Sequence, residues 1–220
     1  MNSKNFKTKI VVSIFSLFLT ISSLKAQNIQ SLLSEVSNKV KSYENIQIDF
    51  KYSLENTREN VKQDTRANIT LKGDNYVLNM LGVTRIFDGK TIYTIVPEDE
   101  EVTISNYNKE DDKSISVSEM LTFYENGYNY KMDIQQNIRG RKIQFIKLSP
   151  IDSTTEIKNI LLGIDMQTKH IYKLIQIDSS GTSYTITVNS FKTNQPISQN
   201  LFIFDKEKYI NQGYYINKLE

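Results

Sequence analysis

The sequence predicts a mainly β protein with a few helices. Apolar and polar residues alternate with a period of two in about eleven segments, the pattern of strands that bury one face. Turn signals such as Asn126-Gly127 separate these segments at the spacing of hairpins. No strand–helix–strand rhythm is present. Together, these observations predict one large antiparallel sheet, arranged as a barrel or a sandwich.

The alternation is clearest in the first predicted strand, where Ile46, Ile48, Phe50, Tyr52 and Leu54 are separated by polar residues. One face of such a strand is apolar and the other is polar. Similar patterns predict further strands in Ala67–Leu71, Tyr76–Met80, Ile92–Val96, Val102–Ile104, Tyr128–Ile134, Ile143–Leu148, Ile157–Ile164, Ile171–Ile177, Tyr184–Val188 and Leu201–Phe204.

Two segments have the period of a helix instead. Apolar residues recur every three or four positions from Ile29 to Tyr43, which predicts an amphipathic helix before the first strand. Ser114–Tyr124 interrupts the strand pattern and predicts a short second helix, with Ser116 or Ser118 as its N-cap. No linker composition divides the chain, so one domain is predicted.

The first 26 residues have the order of a secretory signal peptide. Lys4, Lys7 and Lys9 form a basic start, Ile10–Leu19 is apolar, and Ala26 follows a short stretch suited to cleavage. The apolar run is shorter than the ~20 residues that a membrane helix needs. We therefore expect residues 1–26 to be removed and residues 27–220 to be a periplasmic domain, with an uncleaved anchor as the alternative.

Composition excludes several classes of protein. The chain has no cysteine, so it has no disulfide, no thiolate metal ligand and no cysteine to acylate at a cleavage site. Without the four lysines of the leader, 23 basic residues remain against 25 acidic ones. This balance gives no basic footprint for a nucleic acid.

No residue pattern predicts catalysis. His170 is the single histidine and falls in a predicted turn with Asp165 and Thr168, so it lacks the second histidine or cysteine of a usual metal site. The acidic run Glu98–Glu101 contains no glycine that would fold it around an ion, and it is interpreted as a solvated hairpin tip. No phosphate-binding loop is present. We therefore predict no enzyme activity, no cofactor and no metal site.

The order of several segments resembles a known family. The predicted helix leads into Ser42–Phe50, and a hairpin at Gly73 follows. Ile86–Pro97 contains Asp-Gly-Lys, an aromatic residue and a proline turn, and Ile164–Ile171 and Asn194–Asp205 come later in the same order. This arrangement resembles the outer-membrane lipoprotein carrier family, the LolA-like periplasmic chaperones. The resemblance spans nearly all of residues 27–220.

The resemblance implies an unclosed antiparallel β-barrel of about eleven strands covered by α-helices. It implies a monomer whose hydrophobic cavity holds the acyl chains of lipoproteins. Such a carrier receives acylated lipoproteins from an inner-membrane lipoprotein-releasing ABC exporter and passes them to an outer-membrane acceptor. Well-studied members have an arginine in the first strand, where this sequence has Phe50-Lys51-Tyr52. The alternative function is a periplasmic binding protein of the same fold that senses lipid or lipoprotein.

The strand parity and the second helix predict which side chains line this cavity. Methionine repacks easily and suits an adaptable wall, although aromatic and methionine residues are more often part of an ordinary filled core. The predicted lining residues are Phe50, Tyr52, Leu54, Ile69, Leu71, Leu78, Met80, Met120 and Leu121.

Overall fold

The structure, a computed structural model, describes residues 28–107 and 121–219. The predicted signal peptide, Met120 and most of the predicted helix Ser114–Tyr124 lie outside these ranges, so those predictions stay predictions. Within the described residues the chain forms two α-helices, α1 at residues 28–41 and α2 at Lys206–Asn211. Neither of these helices is long and apolar enough to cross a membrane.

Twelve strands make up most of the described chain. They are β1 (Ile46–Asn56), β2 (Val61–Lys72), β3 (Asn75–Met80), β4 (Val83–Phe87), β5 (Thr91–Val96), β6 (Glu101–Asn106), β7 (Tyr128–Ile138), β8 (Arg141–Pro150), β9 (Ile157–Asp165), β10 (Ile171–Asp178), β11 (Ser183–Thr193) and β12 (Tyr215–Leu219). Short 3-10 helices occupy Pro97–Asp99 and Phe123–Glu125.

All twelve strands belong to one unclosed sheet, in the order β12-β6-β5-β4-β3-β2-β1-β11-β10-β9-β8-β7. Ten pairs of neighbours are antiparallel; nine of them join strands that are consecutive in the chain, whereas β1 and β11 pair across most of its length. The predicted fold class, a mainly β protein with one large unclosed sheet and few helices, is confirmed. One pair differs from the expectation, because β12 runs parallel to β6.

Helix α1 packs on one face of the sheet, which we call the inner face. The predicted period of three and four is the reason, because it puts the apolar side chains of α1 on one side. Tyr124 joins them from the Phe123–Glu125 turn and is fully buried. The core so formed contains Ile29, Leu32, Leu33, Val36, Tyr124, Ile146, Leu148, Ile160, Leu162, Ile164 and Ile171.

The opposite, outer face of β3–β6 and β12 is covered by residues 197–214, which include α2. Phe202 is buried there, and Phe204 stacks on Tyr93 with ring centroids 4.5 Å apart. The buried residues of this second core are Val77, Ile86, Ile95, Val102 and Phe202. Inner-face and outer-face residues therefore alternate along β3 and β4, and both kinds are buried.

The predicted strand Leu201–Phe204 is wrong. Its backbone makes turn hydrogen bonds, from the Leu201 N–H to the Ser198 carbonyl and from the Ile203 N–H to the Asn200 carbonyl. Leu201, Phe202 and Phe204 pack on the sheet instead, and Ile203 remains 63% exposed. The apolar run thus covers a sheet without joining it. Strands β4 and β12 complete the sheet and were not among the predicted segments.

Candidate functional site

The inner face of β1, β2 and β3 brings together most of the predicted lining residues. Phe50, Ile69 and Leu71 are buried in one apolar cluster with Val40 of α1. Tyr52, Leu78, Met80 and Leu121 pack against this cluster and are partly exposed. Strand register explains the grouping, since Ile69 pairs with Ile48 of β1 and Leu78 of β3, so all three side chains leave the sheet on the same side.

Two predicted lining residues are not in this cluster. Leu54 follows Tyr52 with the same parity and pairs with Tyr184 of β11, so it continues the inner face toward the far end of β1. It is partly exposed and lies outside the buried cluster. Met120 is outside the described residues.

Burial falls steadily along the inner face from one end of the strands to the other. In β1 the exposed fractions of Ile46, Ile48 and Phe50 are 5%, 6% and 9%, whereas Tyr52 and Leu54 are only partly buried. In β3, Tyr76 is buried while Leu78 and Met80 are partly exposed. The inner face therefore has a filled end near α1 and a less covered end.

We call the apolar residues of the less covered end the open strip. They share the inner face of β1, β3 and β11 and are all partly exposed: Tyr52, Leu54, Leu78, Met80 and Ile186. Burial raises the pKa of Tyr52, with a further contribution from Tyr184, so the phenol of Tyr52 stays neutral. The open strip thus presents carbon-rich surface with uncharged polar tips.

Strand β11 supplies inner-face residues that sequence reasoning did not assign to the lining. Ile186 pairs with Tyr52, and Val188 pairs with Phe50. The register shifts between Asp49 and Phe50, so Phe191 shares the face of Val188 despite an odd spacing. The alternation of β11 was visible in the sequence, but its position beside β1 was not, because the two strands are distant in the chain.

The same face continues to the other edge of the sheet. Ile186 pairs with Leu174 of β10, which pairs with Leu162 of β9. Leu162 then pairs with Ile146 of β8. Leu162 and Ile146 are fully buried beneath α1 and Tyr124. A continuous apolar row therefore leads from the open strip into the core under α1.

Two cavities adjoin the inner face. The smaller, of about 280 Å³, lies where the end of α1 meets the start of β1 and the end of β2, and it includes the predicted residues Leu71 and Leu121. The larger, of about 520 Å³, contains none of the nine predicted residues. Its walls are Thr122, Phe123, Glu125, Asn126, Gly127, Tyr128, Pro150, Asp152, Thr155 and Ile157.

His170 has a packing role in the structure. Its Nε2 lies 2.8 Å from the hydroxyl of Tyr43, and its ring stacks on Phe191 with centroids 4.1 Å apart. The carboxylate of Asp165 accepts the backbone N–H groups of Gln167 and Thr168, which shapes the turn before β10. No group of three or more His, Cys, Asp or Glu residues within the described ranges could hold a metal ion.

Comparison with known proteins places the chain in a family. The family model described as "Outer membrane lipoprotein carrier protein LolA" matches residues 82–205, which is more than half of the chain. This chain belongs to the LolA family. The resemblance predicted from the sequence is confirmed. A search of curated proteins finds no match to this chain.

Several solved structures resemble this chain at remote sequence identity. An uncharacterized conserved protein from Thermus thermophilus superposes with a TM-score of 0.58 at 9% identity, covering 87% of this chain and 99% of that one. Lipoprotein LppX from Mycobacterium tuberculosis has a TM-score of 0.48 at 15% identity, covering 76% and 97%. A LolA superfamily protein from Nitrosomonas europaea has a TM-score of 0.43 at 12% identity, covering 82% and 98%. The first of these supports the fold alone.

Proposed function

We propose that this LolA-family chain is a periplasmic carrier that holds the acyl chains of lipoproteins on the open strip and shuttles them between the two membranes. The observation that carries the proposal is the loss of burial along the inner face, from Phe50 at 9% exposed to partly exposed Tyr52 and Leu54. A filled core would bury these inner-face positions as completely as their neighbours on the same strand. The family description, a lipoprotein carrier, agrees with the proposal.

The energetics favour reversible uptake. Each CH₂ group removed from water contributes about 0.8 kcal/mol, so an acyl chain gains much by covering an apolar strip. Leu78 and Met80 of the open strip are partly exposed, and the strip leads toward the buried row under α1 through Ile186. A partly covered site with a flexible methionine stabilises the chain without enclosing it completely. That balance suits a carrier that must release its cargo.

The partners follow from the role. Acylated lipoproteins are the cargo, an inner-membrane ABC exporter loads the carrier, and an outer-membrane acceptor receives the cargo. The carrier has no catalytic step, needs no cofactor and acts as a monomer. An N-terminal signal peptide at residues 1–26 takes it to the periplasm, and residues 27–220 form the carrier domain.

Displacement of a neutral apolar fluorescent probe tests the proposal. The protein takes up the probe, and an acylated lipoprotein displaces it, whereas the same lipoprotein without its acyl chains does not. Native mass spectrometry of the protein purified from the periplasm then finds acylated cargo bound. A protein that never takes up the probe or the acylated lipoprotein would overturn the proposal.

Matched variants locate the binding surface. Leu78→Asn and Ile186→Asn put a polar amide on the open strip and are expected to weaken uptake of the acylated lipoprotein at least tenfold. Ile134→Asn is the control, because Ile134 is 56% exposed on strand β7 at the edge of the sheet. Equal loss in all three variants would contradict the assignment of the open strip. Capture of cargo that the protein never passes on to outer-membrane vesicles would favour the sensing role instead.

A further inference from the structure

An exposed arginine stands on the inner face beside the open strip. Phe87 of β4 belongs to the inner-face cluster and Ile86 to the outer-face core, so Arg85 returns to the inner face by alternation. Arg85 pairs with Leu78 of β3 on one side and with Thr94 of β5 on the other. Strand spacing is about 4.8 Å, so the guanidinium stem starts one strand away from the apolar strip.

Arg85 marks a boundary between two halves of the inner face. Along its register row, β3, β2 and β1 present Leu78, Ile69 and Ile48. In the other direction β5 and β6 present Thr94 and Thr103. The face is therefore apolar on one side of Arg85 and rich in hydroxyl groups on the other.

The charge of Arg85 has no counter-ion among the described residues. The ion pairs of residues 28–107 and 121–219 use other cations, and Arg85 is exposed. Glu101 lies on the inner face of β6, and its carboxylate accepts the hydroxyl of Thr103 at 3.1 Å. That acid is two strands from Arg85 and two residues along β6 from its register row, about 12 Å away in the sheet. A guanidinium next to apolar surface is thus left available to an anion.

We propose that Arg85 binds the phosphate of an acidic phosphoglyceride whose acyl chains lie on the open strip. The inference rests on the proposed function, because the same strip holds the chains. In a phosphoglyceride only a few bonds separate the phosphate from both acyl esters, which matches the single strand spacing between Arg85 and Leu78. The planar guanidinium binds phosphate oxygens in a bidentate manner, and the hydroxyl group of Thr94 offers a further donor.

Competition with soluble short-chain lipids tests the inference on the mature chain. The probe is neutral N-phenyl-1-naphthylamine, displaced by dioctanoyl phosphatidylglycerol, dioctanoyl phosphatidylcholine or glycerol phosphate. The unmodified protein is expected to bind phosphatidylglycerol about tenfold more tightly than phosphatidylcholine of equal chain length. Arg85→Gln is expected to lower the affinity for phosphatidylglycerol more than the affinity for phosphatidylcholine, whose choline cation already balances its phosphate, so that the preference is lost. Arg85→Lys retains part of it, because lysine keeps the charge without the bidentate geometry.

Arg66→Gln is the matched control. Arg66 is an exposed arginine on β2 and lies on the outer face, since its neighbour Ala67 is buried on the inner face. This variant is expected to keep the preference for phosphatidylglycerol. An unchanged preference in Arg85→Gln would overturn the inference while leaving the carrier proposal standing. Failure of both lipids and of acylated lipoprotein to displace the probe would instead overturn the carrier proposal itself.

Two further outcomes would also contradict the inference. In the first, glycerol phosphate binds as tightly as phosphatidylglycerol and Arg85→Gln abolishes its binding. Arg85 would then be a site for a free phosphate compound and not for a lipid. In the second, Arg85→Gln weakens the binding of a triacylated lipopeptide with an acidic peptide more than it weakens the binding of phosphatidylglycerol. Arg85 would then recognise a carboxylate of the peptide and not the phosphate of a lipid.

Discussion

The hydroxyl of Tyr43 and Nε2 of His170 lie 2.8 Å apart, and this hydrogen bond joins the segment after α1 to the start of β10. The two residues are 127 positions apart in the chain. Phe191 of β11 completes the contact, since the His170 ring stacks on it and the Tyr43 ring lies 6.5 Å from it. Three distant segments thus meet where the filled end of the inner face begins.

This contact predicts a pH dependence of stability. Burial lowers the pKa of His170, the positive charge of Lys39 lowers it further, and Asp165 partly opposes both. The unfolded chain therefore takes up a proton near pH 6.5 while the folded chain does not, so the free energy of unfolding falls as the pH drops through 6.5 and stops falling below the folded pKa. The chain has one histidine, so comparing the unmodified protein with His170→Gln isolates its contribution to stability. Thermal unfolding of both proteins is measured between about pH 7.5 and 5.5, and the decrease in stability at low pH is expected to be smaller in His170→Gln. Equal slopes in both proteins would contradict this prediction.

The phenol of Tyr124 predicts a stabilising substitution. Its side chain is fully buried under α1, its hydroxyl has no hydrogen-bond partner among the described residues, and burial raises its pKa far above the ordinary value. An unpaired buried hydroxyl costs about 1–3 kcal/mol, so Tyr124→Phe is expected to raise the free energy of unfolding by about 1 kcal/mol. Urea unfolding measures the change.

Tyr130→Phe is the control for this experiment. The Tyr130 hydroxyl donates to the carbonyl oxygens of Tyr124 at 2.7 Å and Glu125 at 3.1 Å. Its removal is expected to lower the free energy of unfolding by about 1 kcal/mol. If the free energy of unfolding changed in the same direction in both variants, the presence or absence of a hydrogen-bond partner would not explain the effect of removing either hydroxyl.

Gly163 is a position where a methyl group does not fit. A Cβ there would lie 2.8 Å from Cε1 of Phe145, its cross-strand partner on β8. Gly163→Ala is expected to lower the free energy of unfolding by about 1–3 kcal/mol through overpacking. Phe145→Leu removes the obstructing ring, so Gly163→Ala should cost less in that background. Equal costs in the two backgrounds, measured by a double-mutant cycle, would exclude the Phe145 clash as the cause.

The decrease in burial along the inner face predicts that residues at its filled end contribute mainly to stability, whereas residues of the open strip contribute mainly to binding. Ile69 is 8% exposed, whereas its pairing neighbour Leu78 is partly exposed on the open strip. Ile69→Ala is expected to lower the free energy of unfolding by about 2–5 kcal/mol, and Leu78→Ala by about 1 kcal/mol. Chemical unfolding and uptake of an apolar probe are measured on both variants. A larger stability loss in Leu78→Ala would mean that the open strip is part of the filled core.

Local patterns determined a large part of the fold. Alternation with a period of two depends on the strand backbone alone, so it correctly grouped Phe50 with Tyr52 and Leu78 with Met80. The spacing of three and four residues likewise predicted α1 and its buried side. Seven of the nine predicted lining residues share one cluster for this reason, while their role in lipid binding stays a prediction.

Pairing between distant segments decided the remainder. Leu201–Phe204 looked like a strand because its residues are apolar, but they cover the outer face, where Phe204 meets Tyr93. Strand β12 joined β6 in parallel, although its exposed Tyr215 and Leu219 gave no alternating signal. Neither arrangement can be predicted from the spacing of apolar residues within one segment.

The sequence by itself determined which side chains of a strand share a face, the helix before the first strand and the family to which the chain belongs. Only the tertiary structure decided that β11 lies beside β1, that Phe191 shares the face of Val188 across a register shift, and that Arg85 borders the open strip. The physical reason is the range of the interactions. Backbone geometry sets a period within a few residues, whereas hydrogen bonding between strands and the burial of apolar faces depend on segments that meet only in the folded chain.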